Sequence, residues 1–298
     1  MDSKSAFIPI IGKPNVGKSS LMNRILGEKI AIVTDKPQTT RTRIMGVLTK
    51  DGTQFVFTDT PGMHKPKNKL SHHMVKQVND SVSDVDIIVL VVEPTGNITN
   101  AELNLIEMIK SKKSIAILAI NKIDTLSQKD KILERINEFS KLHDFDAIVP
   151  LSAMNGDGID NFMTELEKYA VPSVHFFDDD TLTDQPERVI VAEIIREKVL
   201  RLMYQEIPHG ISVTIESMKE RTDKPLMDID AIIFCERESH KGMVIGKNGE
   251  MLKRVASEAR TEIESILNIK INLKCWVKVK EDWRNKENFI KSFGLNNS

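Results

Sequence analysis

The chain is short of several things at once. It has two cysteines in 298 residues, Cys235 and Cys275. Two thiols make no disulfide framework, and the seven histidines show no ligand spacing, so both cysteines read as small buried hydrophobes. No run approaches the roughly 20 apolar residues of a membrane helix. Met1–Ser5 carries two charges and leads straight into a short apolar stretch, which is not the pattern of a secretory leader. The sequence therefore predicts a cytoplasmic protein, with any membrane association weak and peripheral on the inner face of the cell membrane. The formal net charge is -1, so no overall basic excess advertises nucleic acid, and any site for it would have to be a local patch. There is no internal repeat and no low-complexity segment.

What is present is ordinary globular composition, 40% hydrophobic and 29% charged, with length for about two domains. Up to about residue 170, apolar runs alternate with helical stretches. Strands are predicted at 6–11, 44–49, 54–58, 87–92, 115–120 and 147–151, and helices near 18–26, 99–112, 128–142 and 158–169. Continuous Ile/Val runs fit strands covered on both faces, so the expectation is an α/β domain with a mixed, mainly parallel sheet. One pair differs: Lys50-Asp51-Gly52-Thr53 leaves no room for a helix, and Asp-Gly predicts an antiparallel hairpin. Residues 171–186 contain Pro172, three consecutive aspartates and Pro186, and read as an exposed linker. Beyond it, Val191, Ile194, Ile195, Val199, Leu202 and Met203 recur at helical spacing. Strands near 210–217 and 229–236, a helix near 250–267 and a last, strictly alternating strand follow. Ile271, Leu273, Cys275, Val277 and Val279 share one face of that strand; Asn272, Lys274, Trp276, Lys278 and Lys280 share the other.

The stretch Gly12-Lys13-Pro14-Asn15-Val16-Gly17-Lys18-Ser19 matches the phosphate-binding P-loop pattern and sits between a predicted strand and a predicted helix. Glycines let the backbone curl so that its N–H groups face phosphate oxygens, and the helix N-terminus adds partial positive charge. Lys18 is expected at the β- and γ-phosphates and Ser19 on Mg²⁺. Alone, such a match arises by chance in on the order of one chain in a hundred, and its bland reading is a glycine-bearing turn before a helix. Asp59-Thr60-Pro61-Gly62 closes a later strand, where Asp59 can serve the Mg²⁺ shell and Gly62 can offer its N–H to the γ-phosphate. Asn121-Lys122-Ile123-Asp124 closes another. A carboxylate there accepts from both the ring N–H and the exocyclic amine of guanine. Adenine has neither donor in that arrangement, and such sites discriminate by up to about 10⁴–10⁵. Ser152-Ala153 follows a further strand and can meet the guanine carbonyl through a backbone N–H. All four segments lie at strand C-terminal ends, where open α/β sheets bind ligands.

This ordered set resembles the Ras-like GTPase family. The resemblance implies a Ras-like P-loop GTPase domain and a Mg²⁺-ligating threonine in Gln38-Thr39-Thr40-Arg41, with Thr40 favoured over Thr39. Ras-like enzymes that orient water with a side chain carry Gln where this chain has Met63, whose thioether donates nothing. Hydrolysis is therefore expected to be slow. His64, next to it, reads as a mobile surface residue. In the branch with a hydrophobic replacement, a P-loop Asn helps hold K⁺ beside the phosphates; Asn15 either does this or stabilises the loop. The catalytic set is thus Lys18, Thr40 and Asn15. The nucleotide-binding set is Gly12, Asn15, Val16, Gly17, Lys18, Ser19, Ser20, Asp59, Gly62, Asn121, Lys122, Asp124, Ser152 and Ala153. The metal set is Ser19, Thr40 and Asp59.

In the second domain, Val244-Ile245-Gly246-Lys247-Asn248-Gly249 holds a Gly-x-x-Gly loop before a helix. This resembles the loop with which KH domains clamp a few single-stranded nucleotides, and the order of elements resembles an α+β type II KH domain. Ile245, Gly246, Lys247, Asn248, Gly249 and Lys253 are the expected RNA-binding residues. Residues 241–284 hold ten Lys or Arg against six Asp or Glu, the scale of a single-strand groove. The face with Trp276 either stacks a base or is simply solvated. The tail from Trp283 to Phe293 is mixed in character and fits either docking on the domain or a partner.

P-loop, Gln-Thr-Thr-Arg, Asp-Thr-Pro-Gly and a C-terminal KH domain together resemble the Era family across nearly the whole chain. That resemblance implies GTP and GDP as ligands, Mg²⁺ and K⁺ as cofactors, single-stranded small-subunit rRNA and the small ribosomal subunit as partners, and a monomer. The domains expected are 1–171 for the GTPase, 172–186 for the linker, 187–284 for the KH domain and 285–298 for a C-terminal tail.

Overall fold

A computed structural model describes residues 3–112, 114–128, 130–203 and 210–295. The chain divides into two compact units. The first takes the chain up to Ala31, then Thr40–Lys67 and Ser71–Asp184; the second takes Ile32–Thr39, Asn68–Leu70 and everything from Gln185.

The first unit is built on one sheet. Its strands are β1 (Lys4–Ile11), β2 (Ile44–Lys50), β3 (Thr53–Asp59), β4 (Ile87–Val92), β5 (Ile115–Ile120), β6 (Ala147–Pro150) and the short β7 (Val171–Pro172). The order across the sheet is β2-β3-β1-β4-β5-β6, with β7 paired antiparallel to the start of β1. β1, β3, β4, β5 and β6 are parallel. β2 and β3 form the antiparallel hairpin that Asp-Gly predicts, with Lys50 opposite Thr53. Asp51 and Gly52 both have positive φ, 51° and 83°, as a turn matched to strand twist requires. Helices α1 (Lys18–Leu26), α2 (Lys69–Ser81), α3 (Asn100–Lys110), α4 (Asp130–Ser140) and α5 (Ile159–Lys168) connect the strands.

β4 is buried at all six residues, which explains its uninterrupted Ile-Ile-Val-Leu-Val-Val sequence. Two cores result. On one side Ile8, Ile10, Phe57, Val89, Ile117 and Phe162 pack with α1 and α5; on the other Leu90, Leu105, Leu118 and Phe139 pack with α3 and α4. Truncating a fully buried ring such as Phe162 would cost about 3–5 kcal/mol.

Residues 172–184, read from sequence as part of an exposed linker, are instead stitched to the first unit. Ser173 N–H donates to Ser3 O, Gln54 Oε1 accepts from the Phe176 and Phe177 N–H groups, and Val47 N–H donates to Leu182 O. The edge strand β2 leaves N–H and C=O groups unpaired, and this strap satisfies some of them. Gln54 is wholly buried for the same reason.

The second unit has α6 (Glu187–Leu202), β8 (Ser212–Glu220), β9 (Leu226–Cys235), α7 (Glu238–Ile245), α8 (Glu250–Leu267), β10 (Lys270–Val279) and α9 (Glu287–Ser292). Its sheet runs β10-β9-β8, with β9 parallel to β10 and antiparallel to β8. The helical positions predicted on α6 are all buried with Ile229, Ile233, Val255 and Ile263 in one core. The sequence pattern does not predict α7. The tail docks on the unit: Trp283 is fully buried, its Nε1–H donates to Gly210 O at 3.0 Å, and Phe293 packs against Phe234 with the rings tilted by 33°. Residues 296–298 of the expected tail, and 204–209 of the expected KH domain, lie outside the described residues.

Candidate nucleotide and RNA sites

The P-loop leaves β1 at Ile11 and enters α1 at Lys18. Gly17 caps the helix at φ 95°, and a Cβ there would lie 2.3 Å from Asn121 Nδ2, so only glycine fits. Val16 is buried in the core, and its carbonyl accepts from Asn121 Nδ2 at 2.8 Å. Lys18 Nζ donates to Gly12 O at 3.3 Å and Lys13 O at 3.1 Å, inside the loop's own curl. Burial pulls its pKa down to about 8, against the opposing pull of Asp59. Ser20 lies in the first turn of α1, and Asn15 is exposed with φ 65°.

Three oxygens meet at the mouth of the loop. Ser19 Oγ donates to Asp59 Oδ2 at 2.5 Å, lies 3.0 Å from Thr40 Oγ1, and Thr40 Oγ1 donates to the same Asp59 Oδ2 at 3.3 Å. Burial pushes the Asp59 carboxyl up, with Lys18 and the two hydroxyls pulling it down. Asp59 Oδ1 is buried without a hydrogen-bond partner. A buried orphan oxygen beside two convergent hydroxyls is the donor set of a hard, oxygen-seeking cation such as Mg²⁺. Thr39 points elsewhere: its hydroxyl donates to Lys36 O at 2.6 Å and meets Thr34 Oγ1. Gly62 abuts Pro14, and Met63 N–H donates to Gly12 O at 3.1 Å while its side chain packs against a core. His64 Nδ1 lies 2.7 Å from Gly62 O, so it is tied to its own loop.

At the far end of the cleft, Asn121 is a brace. Ala153 N–H donates to Asn121 Oδ1 at 2.9 Å, so one amide joins the P-loop to the Ser152-Ala153 loop. Lys122, at φ 66°, reaches back to Asn15 O at 2.6 Å. Ser152 Oγ donates to Asp124 Oδ1 at 2.5 Å and fixes an otherwise exposed carboxylate. Residues far apart in sequence thus assemble into one cleft. Glu93, which bonds Lys122, belongs to no sequence motif; its position at the end of β4 is the one cue available.

In the second unit, α7 ends at Ile245 and Gly246 breaks it at φ 72°. A Cβ there would lie 2.7 Å from Met251 Cβ, so the sharp turn needs glycine. Lys247 and Asn248 are exposed at the tip, Gly249 caps α8, and Lys253 is exposed in its first turn. β10 alternates as predicted, and Trp276 is 47% exposed on its open face. Cys235 and Cys275 are held as inert thiols, both pushed up to about 12 by burial. Among the described residues no group of His, Cys, Asp or Glu forms a metal cluster.

A family model described as 50S ribosome-binding GTPase matches residues 7–122, and a KH domain model matches 206–284. The chain is 50% identical to GTPase Era of Clostridioides difficile (strain 630), covering 98% of this chain and 99% of that one. It is likewise 50% identical to GTPase Era of Ruminiclostridium cellulolyticum, covering 99% and 98%. It superimposes on a point variant of Aquifex aeolicus Era bound to GDP.AlF4- with TM-score 0.96 and 36% identity, over 99% of this chain and 100% of that one. The same figures hold for Era in complex with MgGDPNP and nucleotides 1506-1542 of 16S ribosomal RNA. On identity over nearly its full length, with both domains in the right order, the chain belongs to the GTPase Era family.

Proposed function

We propose that this GTPase is a Mg²⁺-dependent switch whose KH domain binds single-stranded small-subunit rRNA and which assists assembly of the small ribosomal subunit. The observation that carries the enzymatic half is the meeting of Ser19, Thr40 and Asp59 at the P-loop mouth. Support for the RNA half is the Gly246–Gly249 turn, together with an Era relative solved with 16S ribosomal RNA nucleotides.

Ser19 and Thr40 hold Mg²⁺ directly and Asp59 orients its shell; when bound, the ion neutralises charge developing between the β- and γ-phosphates. Lys18 sits charged against those phosphates, which supply counter-charge beyond that of Asp59 in its buried site. Gly62 presents its N–H to the γ-phosphate. Asp124 accepts from guanine, with Asn121 holding the loops that flank the base by donating to Val16 O and accepting from Ala153 N–H. Because Ala153 N–H is committed to Asn121 and Ser152 N–H to Asp157 O, neither is the free donor to the guanine carbonyl that the sequence predicts. Met63 turns into a core instead of toward water, so turnover is slow and leans on other groups. Asn15 is the residue we assign to K⁺, since it is exposed on the P-loop in a left-handed backbone conformation. GTP hydrolysis in potassium buffer should exceed that in sodium buffer of equal ionic strength severalfold; equal rates would remove the assignment.

The switch has a structural route within the second unit. Segment 32–39 belongs to that unit, where α6 holds its backbone: Glu197 Oε1 accepts from Val33 N–H at 3.2 Å, Arg201 donates to Val33 O, and the buried Arg196 donates to Thr39 O. The next residue is Thr40. A nucleotide that captures or releases Thr40 therefore pulls on a segment anchored to the RNA-binding unit. No described helix is long and apolar enough to cross a membrane, and we place the protein in the cytoplasm as a monomer with weak membrane affinity. Sedimentation with isolated 30S and 50S subunits tests the partner. Co-sedimentation with 30S supports the proposal, and a preference for 50S would follow the matched GTPase family's description instead.

A further inference from the structure

We propose that Glu93 is a positioning residue for the nucleotide, a carboxylate that ties the phosphate loop to the base-binding loop. The inference rests on the nucleotide site proposed above. Glu93 follows the last residue of β4, at the floor between the two loops. Its two oxygens are divided between them. Oε2 accepts from Lys13 of the P-loop at 3.0 Å, and Oε1 accepts from Lys122 of the base-binding loop at 2.7 Å. Lys122 in turn donates to Asn15 O, so the P-loop is held at two points through one carboxylate. Burial alone would raise the Glu93 carboxyl, but the hydrogen bonds from the two lysines outweigh it and hold it below its ordinary range, so it stays charged.

The carboxylate is itself fixed from behind. Arg135, 2% exposed, donates through Nε to Glu93 O at 3.0 Å and through Nη1 to Gly96 O at 2.8 Å. Its Nη2 faces the fully buried Glu102, whose other oxygen caps the start of α3 by accepting from Thr99 N–H at 2.7 Å. Lys13 lies 3.8 Å from that same Glu102. A buried arginine spent on a backbone carbonyl and paired with a buried glutamate is costly to assemble. Arg135 also donates to Glu138 at 2.8 Å, so it holds the 93–96 turn that carries Glu93 as well as pairing along its own helix. Without Glu93, Lys122 loses its carboxylate and Lys13 keeps only the more distant Glu102, so the repulsion between the two lysines is no longer bridged and favours separation of the loops.

Because Glu93 bonds only to Lys13 and Lys122, neither of which is assigned to the γ-phosphate, GDP and GTP should be affected alike. Glu93→Gln keeps the shape and removes the charge. We expect it to weaken both GDP and a non-hydrolysable GTP analogue by roughly five- to tenfold, the scale of two partly exposed ion pairs. In sodium buffer, where the K⁺ assignment of Asn15 plays no part, KM should rise with kcat at saturation unchanged, and the thermal midpoint of the nucleotide-free protein should hold within about 2 °C. Glu93→Asp, charged but one methylene short, should fall between. The deciding readout is a double-mutant cycle with Lys122→Met, measured with fluorescent GDP. If Glu93 acts through Lys122, the Gln substitution costs much less in the Met background. Additive losses, an unchanged affinity, or a fall confined to kcat would overturn the proposal. The wild-type titration in the same series reads the nucleotide site independently: failure of wild-type protein to bind GDP would refute that site, not the role of Glu93.

Discussion

Asp124 is exposed at the cleft, yet one of its oxygens is already committed to the Ser152 hydroxyl at 2.5 Å. That bond fixes one side of the carboxylate, and under the proposed reading of guanine the acceptor character of the other oxygen is decisive. Asp124→Asn puts an amide donor where guanine also donates. Two hydrogen bonds to a charged acceptor are lost, about 1.5–3 kcal/mol each. GTP affinity should fall about 100-fold or more, while xanthosine triphosphate, with a carbonyl in place of the amine, should bind the variant better than GTP does. Competition against fluorescent GDP measures both; unchanged GTP affinity would mean that the base is read elsewhere. Asp124 was legible from sequence because its motif closes a predicted strand, and so were Lys18, Ser19 and Asp59. The adjacent hydroxyls Thr39 and Thr40 are alike in sequence, and only the fold separates them, turning Thr40 to Ser19 and Thr39 back to Lys36. Glu93 belongs to no motif, and beyond its place after a predicted strand its meaning comes from two lysines 80 and 29 residues away.

At the scale of elements, long periodic segments were readable and short or diluted ones were not. α2 buries one apolar residue per turn, Leu70, Met74 and Val78, with His72, His73 and Gln77 between them, so its stripe is too thin to stand out. α7 is eight residues long, contains Gly242, and buries only Val244, so neither propensity nor pattern marks it. The strap at 172–184 has the composition of a linker and the hydrogen bonds of a sheet edge, and composition cannot show the latter. The β8–β9 hairpin offers a test at this scale. Arg221 donates to Asp228 through two nitrogens, at 2.6 and 2.8 Å, and Asn272 of β10 donates to it as well. Arg221's hydrogen bond first, then Asn272's, hold the Asp228 carboxyl well below its ordinary 3.8. A carboxylate depressed in the folded state adds stability above its unfolded pKa and loses it as pH falls through the lower folded value. Asp228→Asn should therefore melt slightly below wild type at about pH 5–7, and the gap should close progressively below pH 3.8. A gap that widened in acid would contradict the assignment.

The whole molecule joins a guanine-nucleotide cleft to a Gly-x-x-Gly clamp in one chain, and the segment before Thr40 belongs to the unit that carries the clamp. Both units were legible as an α/β domain with mainly parallel strands and an α+β domain of KH type, because each repeats its own period over many residues. That segment 32–39 clusters with the second unit was not, because nothing in Val33 to Thr39 announces a partner more than 150 residues away. The central claim is that the nucleotide governs the clamp. The most direct measurement is the affinity of the full chain for a short single-stranded RNA matching the small-subunit rRNA 3′ end. It is taken with GDP and with a non-hydrolysable GTP analogue, and Gly246→Asp serves as the control. Tighter binding is predicted with the GTP analogue, with loss of binding in the variant, whose added side chain meets Met251 and places negative charge at the phosphate clamp. Equal affinity in the two nucleotide states would contradict nucleotide control of the clamp.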